Sequence, residues 1–161
     1  MKASFLENSS FIEGIPYIKP LKTFVDDRGW SLMNLLGGDL SGGQLNVSSM
    51  HPNIIKAWHK HEVQIDCWIP VRGTLKCAVY NPDLNRLWHW NIGEKNPAIL
   101  FIPSGCWHGC STVGNEIATL LYYVTEEYDV ENPDEERCSW DSHIKNNWCV
   151  SDDFSWSAKS R

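Results

Sequence analysis

From Ile12 onward the chain is a succession of short segments in which apolar and β-branched residues alternate with polar ones, punctuated by Gly, Pro, Asn and Asp. Residues 15–20 and 21–25 read as strands, and Asp26-Asp27-Arg28-Gly29 carries turn chemistry, since Asp side chains bond nearby backbone and Gly accepts positive φ. Residues 30–36 read as strand and 37–43 as a glycine-rich loop. Further strands are predicted over 44–50, 54–59, 87–92 and 98–102, and segments 65–71 and 74–80 read as a hairpin turning at Gly73. Pro103-Ser104-Gly105 is a turn leading into Cys106-Trp107-His108, and 116–125 is the last long strand, rich in β-branched and aromatic residues. Nothing before residue 130 has a 3.6-residue period. Many short strands separated by frequent turn signals predict an all-β domain, and a jelly roll is the solution that removes most free edges.

After Thr125 the chain turns acidic and irregular, with Trp140, Trp148 and Trp156 spaced along it. Three indoles left in water would forfeit their apolar burial. The expectation is therefore one domain over 1–161: a core of about 12–125 and a capping tail, 126–161, packed over one end.

The net charge of −6 argues against a nucleic-acid partner, which needs a basic face. It leaves room for an anionic small ligand in a locally basic pocket. Six cysteines without a CxxC read as small apolar fillers and free thiols in a reducing compartment. Cys106 and Cys110 flanking His108 give only a weak zinc pattern. A secretory leader and a membrane-length apolar run are both missing from the text, so the expected setting is cytoplasmic, with no membrane partner.

The chemistry concentrates in Lys56-Ala57-Trp58-His59-Lys60-His61, running on to Gln64 and Asp66. Residues two apart in a strand share a face, so His59 and His61 point the same way. Two imidazoles beside a carboxylate are costly to bury without partners and mark a site more often than a core.

With Gly73 and Pro103-x-Gly105-x-x-His108, this cluster resembles the two motifs of a cupin barrel. Within cupins the chain resembles the dTDP-4-dehydrorhamnose 3,5-epimerase family from about Ile12 to Trp148. Asp27-Arg28-Gly29, Gln44-x-Asn46-x-Ser48, Val71-Arg72-Gly73, Ile102-Pro103-x-Gly105-x-x-His108-Gly109, Tyr122-x-x-Thr125-x-x-Tyr128, Trp140-Asp141 and Trp148 stand in the family's order and spacing. The resemblance implies a cupin jelly-roll barrel and inversion of carbons beside the 4-keto group of a nucleotide-linked 6-deoxyhexose, without metal or redox cofactor. The keto group acidifies the neighbouring C–H, so the protein needs a base on one face of the sugar, an acid on the other and a donor near the enolate oxygen.

On matching positions, the resemblance implies His59 as base, Asp141 as the carboxylate orienting it, and Tyr122 as acid. It makes Tyr128 a shaper of the sugar pocket and Arg28, Gln44, Asn46 and Lys56 nucleotide contacts. His61, Gln64, Asp66 and His108 would line the cavity. It also implies a homodimer. Three departures stand out: Lys56 replaces the family's Arg, Met33 replaces a Glu, and Asp66 stands where the family has a Lys near the enolate oxygen. A carboxylate there repels an enolate unless protonated. The same residue favours an alternative, a metal cupin holding an ion by His59, His61, Asp66 and His108. A third reading is a non-catalytic sugar-nucleotide-binding cupin.

Overall fold

The computed structural model describes residues 12–36, 42–150 and 154–156. Its strands in chain order are β1 (Tyr17–Pro20), β2 (Thr23–Asp26), β3 (Gly29–Leu32), β4 (Gln44–Met50), β5 (Ile55–Lys60), β6 (Asp66–Arg72), β7 (Thr74–Asn81), β8 (Arg86–Gly93), β9 (Ala98–Ile102), β10 (Trp107–Thr112), β11 (Ala118–Val124) and β12 (Glu136–Arg137), followed by one helix, α1 (Ser142–Lys145). Two five-stranded antiparallel sheets, ordered β1-β9-β6-β11-β4 and β12-β5-β10-β7-β8, form the expected cupin jelly roll, with β2-β3 as a separate ribbon.

Alternation assigns the layers. Leu75, Cys77 and Val79 of β7 face inward against Trp68, Leu100 and Ile102 of the opposite sheet, while Ala78 and Tyr80 face outward. The outward face of β6, β9 and β11 is covered by Tyr17, Leu21, Leu35 and Leu36, so β6 is buried along most of its length. On β4 the alternation is reversed. Gln44, Asn46 and Ser48 point inward, while Leu45 and Val47 are exposed. A strand with its polar face turned inward borders a wet cavity rather than a dry core.

The predicted hairpin across Gly73 does not form. β6 pairs with β9 and β11, whereas β7 pairs with β8 and β10. Gly73, at φ +66°, is the corner where the chain leaves one sheet for the other, and a Cβ there would lie 2.8 Å from the Ile117 carbonyl oxygen. Strand β10 is not announced by the sequence, because Gly109 and Ser111 interrupt its apolar pattern. The loop predicted over 37–43 lies mostly outside the described residues.

The tail covers a face rather than an end. Trp156 and Trp148 pack on Trp58 at centroid distances of 4.8 and 5.1 Å, and Trp148 stacks on Tyr80 at 4.1 Å. Together they close the outer surface of the β5-β10-β7 sheet; Trp140 stays half exposed. Before reaching that face, the tail adds β12 to the edge of β5, setting Arg137 opposite His59.

Candidate functional site

On β5 adjacent side chains point to opposite faces: Trp58 outward into the aromatic cover, His59 inward. β10 lies beside β5 with His108 paired to His59, and the register slips between His108 and Cys110. Gly109 sits at this irregularity because a Cβ would lie 2.4 Å from the Ala57 Cβ and 2.7 Å from the Lys56 carbonyl oxygen. The close approach brings the His59 and His108 rings to 4.1 Å, with His61 5.4 Å from His108. Asp66, first residue of β6, joins them from the facing sheet. Its carboxylate is 3.6 Å from His108 Nε2 and 4.0 Å from His61 Nε2.

Three of the four groups in this cluster are held by hydrogen bonds. The indole N–H of Trp68 and the amide of Gln64 donate to the Asp66 carboxylate at 2.9 and 2.7 Å. His108 Nδ1 donates to the Cys106 carbonyl at 2.9 Å, and His61 Nδ1 donates to the Asp134 carbonyl. A carbonyl only accepts, so both Nδ1 atoms carry the proton in the neutral rings and both Nε2 lone pairs turn toward Asp66. His108 Nε2 is buried without a hydrogen-bond partner.

Burial by itself would raise the Asp66 pKa, but the adjoining His108 and His61 and the Gln64 amide outweigh it and hold the group down to about 2. His59 behaves oppositely. Burial, then the neighbouring His108 charge, pulls its pKa well below the usual histidine range, with Asp66 offsetting only part. The centre is thus an ionised carboxylate facing the Nε2 atoms of His61 and His108, with His59 neutral at physiological pH. The four residues offer one ligand atom each, all within 4.8 Å of one another. Three imidazoles and a carboxylate suit Mn, Fe, Ni or Zn, and the partnerless His108 nitrogen fits a cation.

Two adjoining cavities open onto the centre, about 560 and 470 Å³, sharing His59, Tyr122, Glu135 and Arg137. The first also takes in Lys56, Asp66 and Trp68, with Lys56 Nζ donating to Ser48 Oγ at 2.7 Å. The second takes in Gln44, Asn46, His61, Gln64 and Tyr128, with several carboxylates at its rim. Gln44 donates to Asn46 and accepts the Tyr128 backbone N–H. Burial raises the Tyr122 pKa above that of a free phenol, with the Asp66 charge adding to the rise, so its hydroxyl stays protonated.

The structure therefore gathers ten of the twelve residues singled out from sequence. Arg28 is on the exposed β2-β3 ribbon, paired with Asp26 at 2.5 Å. Asp141 does not reach His59. It sits at the start of α1, bonded to Ser139 at 2.6 Å and Lys145 at 2.8 Å. The reason is the face it approaches: the neighbouring Trp140 carbonyl accepts the Trp58 indole N–H, placing this stretch on the outer side of β5 while His59 points inward. Sequence reasoning missed Asp134, Glu135 and Arg137, which an acidic run disguises as solvated surface.

The chain matches the family model described as polysaccharide biosynthesis C-terminal domain over residues 24–136. It is 34% identical to the spore coat polysaccharide biosynthesis protein SpsL of Bacillus subtilis, over 85% of this chain and 96% of that protein. It is 33% identical to the probable low-salt glycan biosynthesis epimerase Agl13 of Haloferax volcanii, over 77% and 86%. Its fold is that of a dTDP sugar isomerase from Desulfovibrio desulfuricans G20, with a TM-score of 0.74 at 20% identity, covering 94% of this chain and 98% of that one.

Proposed function

The chain belongs to the polysaccharide biosynthesis C-terminal domain family, and from that premise we propose that it is a sugar-nucleotide epimerase working beside the keto group of a 4-keto-6-deoxyhexose carried on a dTDP-type nucleotide. One observation carries the reading: a neutral imidazole, His59, and a protonated phenol, Tyr122, line the same two cavities.

The keto group acidifies the adjacent C–H. His59, uncharged, takes that proton, and Tyr122 returns one from the other side of the sugar, inverting the carbon. Lys56 and Arg137 are cations at the cavities and suit the diphosphate. Asp66 holds negative charge where the enolate oxygen would need the opposite, so the centre requires a cation. In the alternative reading, a divalent ion held by His59, His61, Asp66 and His108 would supply a Lewis acid at that point and occupy the His59 lone pair, so His59 would then be a ligand and not the base. The buried, unpartnered His108 Nε2 favours this second reading, a metal-binding cupin, over a cofactor-free site.

Exchange of sugar protons with solvent deuterium in dTDP-4-keto-6-deoxyglucose tests the activity, with His59→Asn expected to abolish it. Elemental analysis of untagged protein tests the ion. Stoichiometric metal rules out the cofactor-free form. Nucleotide-sugar binding without exchange by the wild type leaves a binding protein and refutes the epimerase.

We also read the chain as one cupin domain that forms a homodimer in the cytoplasm. Leu45 and Val47 on the outer strand β4, and Val25 and Trp30 on the separate ribbon, are exposed apolar residues available to a second copy. Among the described residues no helix is long and apolar enough to cross a membrane.

A further inference from the structure

We infer that Asp134 is a positioning residue for His61, fixing which ring nitrogen the centre receives. The inference rests on the reading of the three histidines and Asp66 as the reactive centre. Asp134 lies in the acidic stretch after the last long strand, where charge alone suggests a solvated surface. Its contacts are of another kind. Oδ1 accepts the Glu62 N–H at 2.7 Å, and Oδ2 accepts those of Val63 and Gln64 at 3.0 and 2.9 Å. These are three successive N–H groups of the turn that leaves His61 for β6, gathered on one carboxylate. The backbone carbonyl of the same Asp134 accepts the proton of His61 Nδ1. One residue therefore fastens both the ring and the loop that bears it.

The consequence is a choice of tautomer. With Nδ1 donating to a carbonyl, Nε2 keeps its lone pair and turns it toward Asp66. His108 is set the same way by Cys106, a neighbour in its own turn. His61 instead borrows its partner from a segment 73 positions away. The clip also steadies Gln64, whose amide donates to Asp66, so Asp134 bears on two members of the centre without touching substrate. Beyond it the same segment is strapped along β5: Glu136 pairs with Lys60 at 2.8 Å, and Cys138 exchanges backbone hydrogen bonds with Trp58.

Imidazole nitrogen NMR on the metal-free protein reads the tautomer directly, and zinc titration reads its consequence. In the wild type, His61 is expected as the Nδ1–H form alone. In Asp134→Ala that form gives way to a mixture, and zinc binding weakens by about 10–100-fold, the usual effect of removing a residue that orients a ligating histidine. Asp134→Asn keeps one acceptor oxygen and falls between. Glu136→Ala removes an exposed ion pair from the same strap and matches the wild type in both measurements. A pure Nδ1–H His61 in natively folded Asp134→Ala overturns the inference, as does a wild-type His61 protonated on Nε2. If Asp134→Ala does not fold, Asp134→Asn decides: a wild-type imidazole spectrum refutes the inference, a mixed one upholds it. A wild type that takes no zinc removes the metal reading, while the tautomer measurement still judges Asp134.

Discussion

Replacing Gly109 with Ala tests the packing that creates the centre. The added carbon would stand 2.4 Å from the Ala57 Cβ, 2.7 Å from the Lys56 carbonyl oxygen and 2.8 Å from the Ala57 Cα. Two of these are backbone atoms of β5, so no side chain can swing aside, and the strands must part. Overpacking of this kind costs about 1–3 kcal/mol, and contacts to backbone place Gly109→Ala near the upper figure. For a chain of this size about 3 kcal/mol lowers Tm by roughly 6–12 °C. The displaced strand bears His59, paired with His108 across the slip in register, so zinc affinity and proton exchange fall with the Tm. Thermal denaturation followed by circular dichroism, with zinc titration alongside, makes the measurement. A variant melting within about 1 °C of the wild type, with unchanged zinc binding, would refute the claim that strand contact at Gly109 sets the imidazole spacing.

The depressed pKa of His59 has a definite sign. The unfolded histidine takes up a proton near pH 6.5 while the folded one does not, so its contribution to stability is full above about 6.5 and lost as pH falls below it. Proton exchange should accordingly stay level from pH 8 down to about 6.5 and fall only at lower pH; a falling limb centred above 7 in a pH–rate profile contradicts this. Tyr122→Phe should cut inversion by about 10²–10⁴-fold while solvent exchange through His59 persists; equal loss of both by NMR would remove Tyr122 as the acid. Trp58→Ala takes the central indole out of the aromatic cover and should cost about 3–5 kcal/mol in denaturant unfolding. A loss under 1 kcal/mol would show that the cover contributes little.

Much of this molecule can be read from its text, and the exceptions have physical causes. Most of the strands, though not β10 or β12, and the meeting of His59, His61, Asp66 and His108 follow from alternation and motif spacing. Which strand pairs with which does not: the hairpin expected at Gly73 fails because local alternation is the same whether a turn closes on one sheet or passes to the other. Asp141 is misplaced for a related reason. Its spacing from Trp140 matches the family, but the Trp58 indole, on the outer face, ties that stretch to the wrong side of β5. Arg137 and Asp134 are hidden by their acidic neighbours: Arg137 depends on an edge pairing formed by a two-residue strand, and Asp134 on hydrogen bonds to a turn distant in sequence.

The aromatic cover and the short edge strand bear on how the protein can be trimmed. The family match stops at residue 136, one position before Arg137 and well short of Trp148 and Trp156. A fragment cut at that boundary would keep all four centre residues yet lose a guanidinium from the mouth and bare Trp58 to water. Catalytic competence and colloidal behaviour would fail together, for a shortage of tail rather than of active-site side chains.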